Sequence, residues 1–185
     1  TRGVLDQKET ITPYNRFRID LESSIKRDTT PSMQPVDTPP TARPALSMQP
    51  RNFAPEDPGP GGWRWLLDLA RGADAAGLDR LVFADHVVFG ENLEAYGDPK
   101  AGGIQGGKQP TGPDGHWLEP LTLLSVLAGI TSHTRLMTGI LLAGLRTPAT
   151  LAKTAATLDV LSEGRLDLGV GVGWQREEYE ANGIP

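Results

Sequence analysis

The 185-residue sequence contains no cysteine and only three histidines. Without cysteine there are no disulfides, no thiolate metal sites and no cysteine nucleophile, which fits a reducing compartment. The histidines are scattered, with no His-x-x-Glu or paired-His spacing, so no metal site is expected. Runs of lysine or arginine are missing and the formal charge is −5, leaving no electrostatic footprint for nucleic acid or anionic lipid. No stretch approaches the roughly 20 apolar residues of a membrane span, and the N-terminus lacks the apolar segment of a signal peptide. These absences together lead to the expectation of a cytoplasmic protein that handles a small-molecule substrate, with no nucleic-acid or membrane partner. Oligomeric state stays open, a homodimer being among the options.

Chain breakers are plentiful instead: 22 glycines and 16 prolines. Ten of the prolines precede Trp63, where apolar residues are sparse. Each removes a backbone donor and disfavours helix in the residue before it. Residues 1–44 therefore read as a disordered proline-rich leader, unable to bury enough apolar area to offset its ordering entropy. Residues 45–185 read as one ordered body.

In that body a unit of helix, glycine and strand repeats. A short strand over 45–48 is followed by a proline-rich loop. Residues 63–76 put Leu66, Ala70 and Ala73, with Leu69 and Ala76, on one helical stripe, and Gly77 stands where a left-handed residue would end the helix. Residues 81–84 form a short apolar run that looks like a strand buried on both faces, as parallel sheets require. A helix over 118–130, with Pro120 in its first turn and an apolar face of Leu123, Leu124 and Leu127, precedes a strand over 135–142. Thr147-Pro148 is an N-cap followed by proline at the first helical position, Leu151, Ala155 and Leu158 line the next helix, Gly164 closes it, and 165–170 is the following strand. Alternating βα units make a parallel sheet with helices outside it, either doubly wound or closed into a barrel. Periodicity alone does not choose.

Both architectures bind ligands at the C-terminal ends of their strands. One strand ends in Asp85-His86, the next contains Thr138-Gly139-Ile140, and the last runs through glycines 169, 171 and 173 to Trp174. A histidine after a buried strand can act as base, donor or ligand near neutral pH, with Asp85 free to fix an amide or cap a turn. His116 and His133 lie in a glycine-rich loop and a turn, poorer places for chemistry. The glycines invite a phosphate-loop reading, but the third comes one residue early for Gly-x-Gly-x-x-Gly. Close packing at the strand end explains them at least as well. Downstream, Trp174 reads as a wall of the site and at least one of Glu177 and Glu178 as surface. The roughly 30 residues between Val87 and Trp117 form a glycine-rich loop long enough to be a lid, in which Lys108 could meet an anionic substrate.

An ordered set of motifs carries a family resemblance: Arg51-Asn-Phe-Ala-Pro55, Ala73-Asp-Ala-Ala-Gly-Leu78, Phe83-Ala-Asp-His86, Trp117-Leu-Glu-Pro-Leu121, Thr138-Gly-Ile140, Arg146-Thr-Pro148, Ala152-Lys-Thr-Ala-Ala-Thr-Leu-Asp159 and Gly169-Val-Gly-Val-Gly-Trp174. From residue 45 onward the chain resembles the bacterial luciferase-like superfamily, and most closely its deazaflavin-dependent oxidoreductases, which use coenzyme F-420. The resemblance implies an α/β fold, a (β/α)8 TIM barrel of which strands one to four are present, with the cofactor across the strand ends. It implies catalytic roles for His86 and Asp85. It assigns Asp85, Thr138, Gly139, Ile140, Gly173 and Trp174 to the cofactor, and places a non-proline cis peptide between Gly139 and Ile140. The carboxylate that some relatives carry after the fourth-strand glycines is replaced by Trp174, so that proton-donor role does not transfer.

A TIM barrel needs about 250 residues, so residues 45–185 read as the truncated N-terminal half of one. The Asp-His ending, in place of the Glu-His-His type of true luciferases, points to hydride transfer with coenzyme F-420. An FMN-dependent monooxygenase is the alternative. A catalytically silent half-barrel that only self-associates is a reading of another class, and a phosphate-binding lyase or isomerase barrel would leave the Asp-His ending unexplained.

Overall fold

The computed structural model describes residues 43–185 except 90, 91, 102, 104 and 113. The leader expected over 1–44 lies, but for its last two residues, outside the described residues. Within the body Pro44–Pro185, β1 (Ser47–Met48) leads through a loop containing β2 (Phe53–Ala54) to α1 (Arg64–Ala75) and β3 (Arg80–Phe83). The long loop after β3 has two 3-10 turns, Leu93–Gly97 and Pro99–Ala101, and ends in β4 (His116–Trp117). Then come α2 (Pro120–Ala128), β5 (Arg135–Leu142), a 3-10 turn Ala143–Leu145, α3 (Pro148–Leu161), β6 (Leu166–Gly171) and α4 (Arg176–Ala181).

The main sheet has the order β1-β3-β5-β6 and every pairing in it is parallel. Each strand lies beside its predecessor, with α1, α2 and α3 as the successive crossovers. That order has no reversal point, which a doubly wound sheet requires, and it is the order of consecutive strands around a barrel. The main sheet thus has the arrangement of an arc of α/β barrel. No helix among the described residues is long and apolar enough to cross a membrane.

Apolar spacing explains where the core sits. Leu66, Ala70 and Ala73 of α1, Leu81 and Phe83 of β3, Leu124 and Leu127 of α2, Leu136 and Leu141 of β5, and Ala155 and Leu158 of α3 form one buried cluster between helices and sheet. Ala76, expected on the α1 stripe, is exposed because it is already the C-cap. The helix ends as Gly77 predicts: at φ 74° its N–H reaches Asp74 O, and Leu78 N–H reaches Ala73 O, a Schellman closure. In α3 the residue at that place is Glu163 (φ 59°), and Gly164 comes one position later, its N–H 2.8 Å from Asp159 O. β3 also differs from expectation. It alternates half-buried and buried residues, because the face opposite the helices, bearing Arg80 and Val82, is covered only in part among the described residues.

Polar ties lock the end of the sheet away from the site. Asp74 of α1 accepts the N–H groups of Ser132, His133 and Thr134 at 2.7–2.8 Å. Burial pushes its carboxyl up, but those backbone donors outweigh it and hold the pKa at about 2 instead of 3.8. Asp167 of β6 takes Arg80 Nε at 2.8 Å and Arg135 Nη2 at 2.6 Å. The Arg135 hydrogen bond, followed by that of Arg80, holds the Asp167 carboxyl below the ordinary carboxylate range.

Candidate active site

β5 carries the feature from which the site is built. Its register with β6 shifts between Thr138 and Leu141, and the Gly139–Ile140 bond is cis. Before the shift Leu136 and Thr138 are buried; after it Leu141 is buried, and Ile140 is turned out, 41% exposed. Glycines on either side make room. A Cβ at Gly139 would run into Val82 Cγ1, and one at Gly171 into the Ile140 side chain. Gly173 combines φ 71° with an approach of 2.8 Å between its would-be Cβ and Leu142 Cδ2. The glycines of the last strand thus serve close packing against the β5 bulge.

A cavity of about 190 Å³ opens at the ends of these strands, lined by Asp85, His86, Gly139, Ile140, Gly173 and Trp174, with Tyr96, Trp117 and Glu178 closing its sides. Six of the seven expected site positions meet there. Thr138 does not: it is fully buried, one step out of phase with Gly139, and its Oγ1 donates to Gly169 O at 2.8 Å. A second cavity, about 230 Å³, lies against His86, Val87, Val88, Phe89, Gly115 and Trp117. His86 and Trp117 border both.

The long loop contributes walls. β4 pairs antiparallel with β2, stacking Phe53 on Trp117 at 4.5 Å between centroids. The Trp117 edge meets the His86 ring at 4.9 Å, Phe89 packs on the same imidazole at 4.7 Å, and Tyr96 meets Trp174 edge-on at 5.3 Å. Asn52 fixes the base of this wall, its Nδ2 donating to Ala84 O at 2.8 Å and Leu118 O at 3.0 Å. Lys108, His116 and His133 are exposed.

Adjacent residues Asp85 and His86 have different partners. Asp85 is buried and its carboxylate is committed to the end of β5 and to Arg146 beyond it: Oδ2 accepts Leu142 N–H at 2.8 Å and Arg146 Nη1 at 2.5 Å, and Oδ1 accepts Arg146 Nη2 at 3.1 Å. Arg146 extends to Glu119 Oε1 at 2.9 Å, while Glu119 Oε2 caps α2 through Thr122 N–H. Burial opposes the Arg146 charge, but Asp85 and then Glu119 raise its pKa further. The imidazole is held from elsewhere. His86 Nδ1 lies 3.2 Å from Oε2 of Glu178, a residue 1% exposed on α4.

Of the two downstream glutamates Glu178 is the buried one, and Glu177, half-buried, keeps solvent contact. Nothing in their spacing separates the two, because a six-residue helix gives no usable phase. Arg146 was visible only as part of a motif. Its role as the counter-ion of Asp85 depends on a contact 61 residues away in sequence.

For a flat heteroaromatic cofactor the residues fit: the Gly139–Ile140 segment offers a ledge, Trp174 a wall, and Gly139 and Gly173 line the cavity without a side chain to fill it. Comparison with known proteins agrees with the fold. The family model described as luciferase-like monooxygenase matches residues 45–185. An uncharacterized protein of Mycobacterium tuberculosis is 44% identical over 68 residues, 37% of this chain and 24% of its own length. The pyrimidine monooxygenase RutA of Methylobacterium radiotolerans is 41% identical over 69 residues, 37% of this chain and 18% of its own. Among solved structures, the monooxygenase RslO1 from Streptomyces bottropensis superposes with a TM-score of 0.53 at 30% identity, covering 76% of this chain and 36% of that one. The chain therefore spans well under half the length of these relatives. With a strictly parallel sheet in barrel order and a family match over the whole described body, the chain belongs to the luciferase-like monooxygenase family.

Proposed function

We propose that this site is the reaction centre of a deazaflavin-dependent oxidoreductase, moving a hydride to or from a small organic substrate. The observation that carries the reading is the meeting of a carboxylate-held imidazole, His86, with the Gly139–Ile140 ledge and Trp174 in one cavity. Gly139, Ile140, Gly173 and Trp174 would hold the cofactor ring, with Thr138 supporting the ledge from behind and Asp85 anchoring the strand end through Arg146. The cofactor would supply the hydride chemistry. In substrate oxidation His86 takes the hydroxyl proton as the carbon–hydrogen bond gives up its hydride; in reduction it returns that proton to the oxygen. Trp117, Phe89 and Tyr96 would form an aromatic wall beside the reacting groups.

RutA and RslO1, both monooxygenases, support the reaction type of a second reading, an FMN-dependent monooxygenase. Titrating the chain, and the chain completed to the length of its relatives, with coenzyme F-420 and with FMN separates them. Retention of F-420 and anaerobic hydride exchange that His86→Ala reduces about 10²–10⁴-fold is the expected result. Retention of FMN with substrate-dependent oxygen consumption selects the second reading. Binding of neither cofactor by either form overturns both.

A further inference from the structure

Among the described residues, every side-chain hydrogen bond of Glu178 goes to the segment just after β3. Its Oε1 accepts Val87 N–H at 2.8 Å and Val88 N–H at 3.3 Å, and its Oε2 faces His86 Nδ1 at 3.2 Å. Burial pushes the carboxyl up, but the His86 hydrogen bond and the Val87 N–H outweigh it and hold Glu178 below the ordinary carboxylate range. An ionised carboxylate only accepts hydrogen bonds. The imidazole nitrogen facing it must therefore carry the hydrogen, and in a neutral ring the other nitrogen then carries the lone pair. Among the described residues Nε2 has no hydrogen-bond partner, although the ring borders both cavities.

We propose that Glu178 is a positioning residue that fixes His86 as its Nδ1–H tautomer, leaving Nε2 as the acceptor that meets the ligand. The catalytic use of Nε2 rests on the oxidoreductase reading; the tautomer does not. One carboxylate oxygen gathers two backbone donors and orders the chain after β3, while the other orients the ring standing on that chain. Tethering loop and imidazole through one buried group couples the position of the base to the shape of the second cavity, which Val87 and Val88 line.

Substitution by glutamine has a definite consequence. The side-chain oxygen of Glu178→Gln must stay with the Val87 and Val88 N–H groups, because an NH₂ there would oppose two donors. Its NH₂ then faces Nδ1, which has to accept, and the hydrogen moves to Nε2. Two-bond proton–nitrogen correlation spectra of ring-labelled protein distinguish the tautomers with no cofactor or substrate present, and the His86 signals are identified by their loss in His86→Ala. At a pH where the ring is neutral, we expect Nδ1–H in the wild type and in Glu178→Asp, which still only accepts, and Nε2–H in Glu178→Gln. A wild-type ring protonated on Nε2 overturns the proposal, as does a folded Glu178→Gln that keeps Nδ1–H. Should Glu178→Gln fail to fold, the wild-type and Glu178→Asp spectra still decide. In turnover, inverting the tautomer should lower kcat about 10²–10⁴-fold with KM little changed. Turnover indifferent to His86→Ala, alongside the expected tautomers, would remove the catalytic reading of His86 and leave the Glu178 assignment standing.

Discussion

The guanidinium of Arg146 grips both carboxylate oxygens of Asp85, with Nη1–Oδ2 at 2.5 Å and Nη2–Oδ1 at 3.1 Å, and the Asp85 side chain is completely shielded from solvent. Bidentate geometry of this kind gives both energy and a fixed orientation. Because Asp85 and His86 are neighbours, the clamp fixes the backbone from which the imidazole projects, while Glu178 holds the ring itself.

Removing the clamp should therefore be costly. Arg146→Met leaves the Asp85 charge buried with only the Leu142 N–H, and breaking one side of such a pair costs about 3–5 kcal/mol. Urea unfolding should show a loss near the lower end, since Arg146 keeps some solvent contact. Arg146→Lys restores charge but not the fork and should fall between. A loss under about 0.5 kcal/mol for Arg146→Met, the range of ordinary surface changes, would contradict the arrangement.

Asp74 makes stability depend on acid. Its pKa is lower in the folded chain, about 2 against 3.8, so its contribution is present above pH 3.8 and disappears as pH falls through about 2. The carboxylate is only part-buried, and after discounting for solvent screening it contributes on the order of 1–2 kcal/mol. Asp74→Asn should be less stable by that amount at pH 6 and approach wild type below pH 2. Urea midpoints across this range test it, and a difference that does not shrink on acidification would refute it.

Glu163 offers a stabilising change. At φ 59° it occupies a left-handed position and is exposed, a conformation costing an L-residue about 1–2 kcal/mol. Glycine adopts it freely but loses more entropy on folding, about 0.5–1 kcal/mol. Glu163→Gly should raise stability by roughly 0.5–1 kcal/mol, and Glu163→Val should lower it. Thermal melts of the two variants give the sign directly.

Gly171 separates binding from folding. A Cβ there meets the end of the Ile140 side chain, which is partly exposed and able to move. Gly171→Ala should push Ile140 toward the cavity, weakening cofactor retention at least tenfold while changing stability by less than about 1.4 kcal/mol, the value of one decade. Parallel cofactor titration and urea unfolding test the split. Unchanged retention would mean that Ile140 does not border the cofactor.

Local chemistry was legible where it decides the outcome. Residues 135–142 form β5 with both bounds as read, and Pro148 opens α3 at its first position, with Thr147 at the N-cap though its side chain makes no capping hydrogen bond. Gly77 closes α1 because the turn needs a positive φ. The two-residue strands β2 and β4 were not legible. Each is too short to show alternation, and they exist only because Phe53–Ala54 finds His116–Trp117 more than 60 residues away.

The sequence by itself determined the alternation of helix and strand, the strand ends at which chemistry gathers, and the candidates His86, Gly139, Ile140 and Trp174. Only the tertiary structure decided the partners: Arg146 for Asp85, Glu178 for His86, and an inward place for Thr138. Periodicity and capping are set within a few residues, so they leave a mark on sequence. A buried ion pair is set by which distant segments share one low-dielectric space, where an unpaired charge is too costly to persist, and that is known only once the chain has folded.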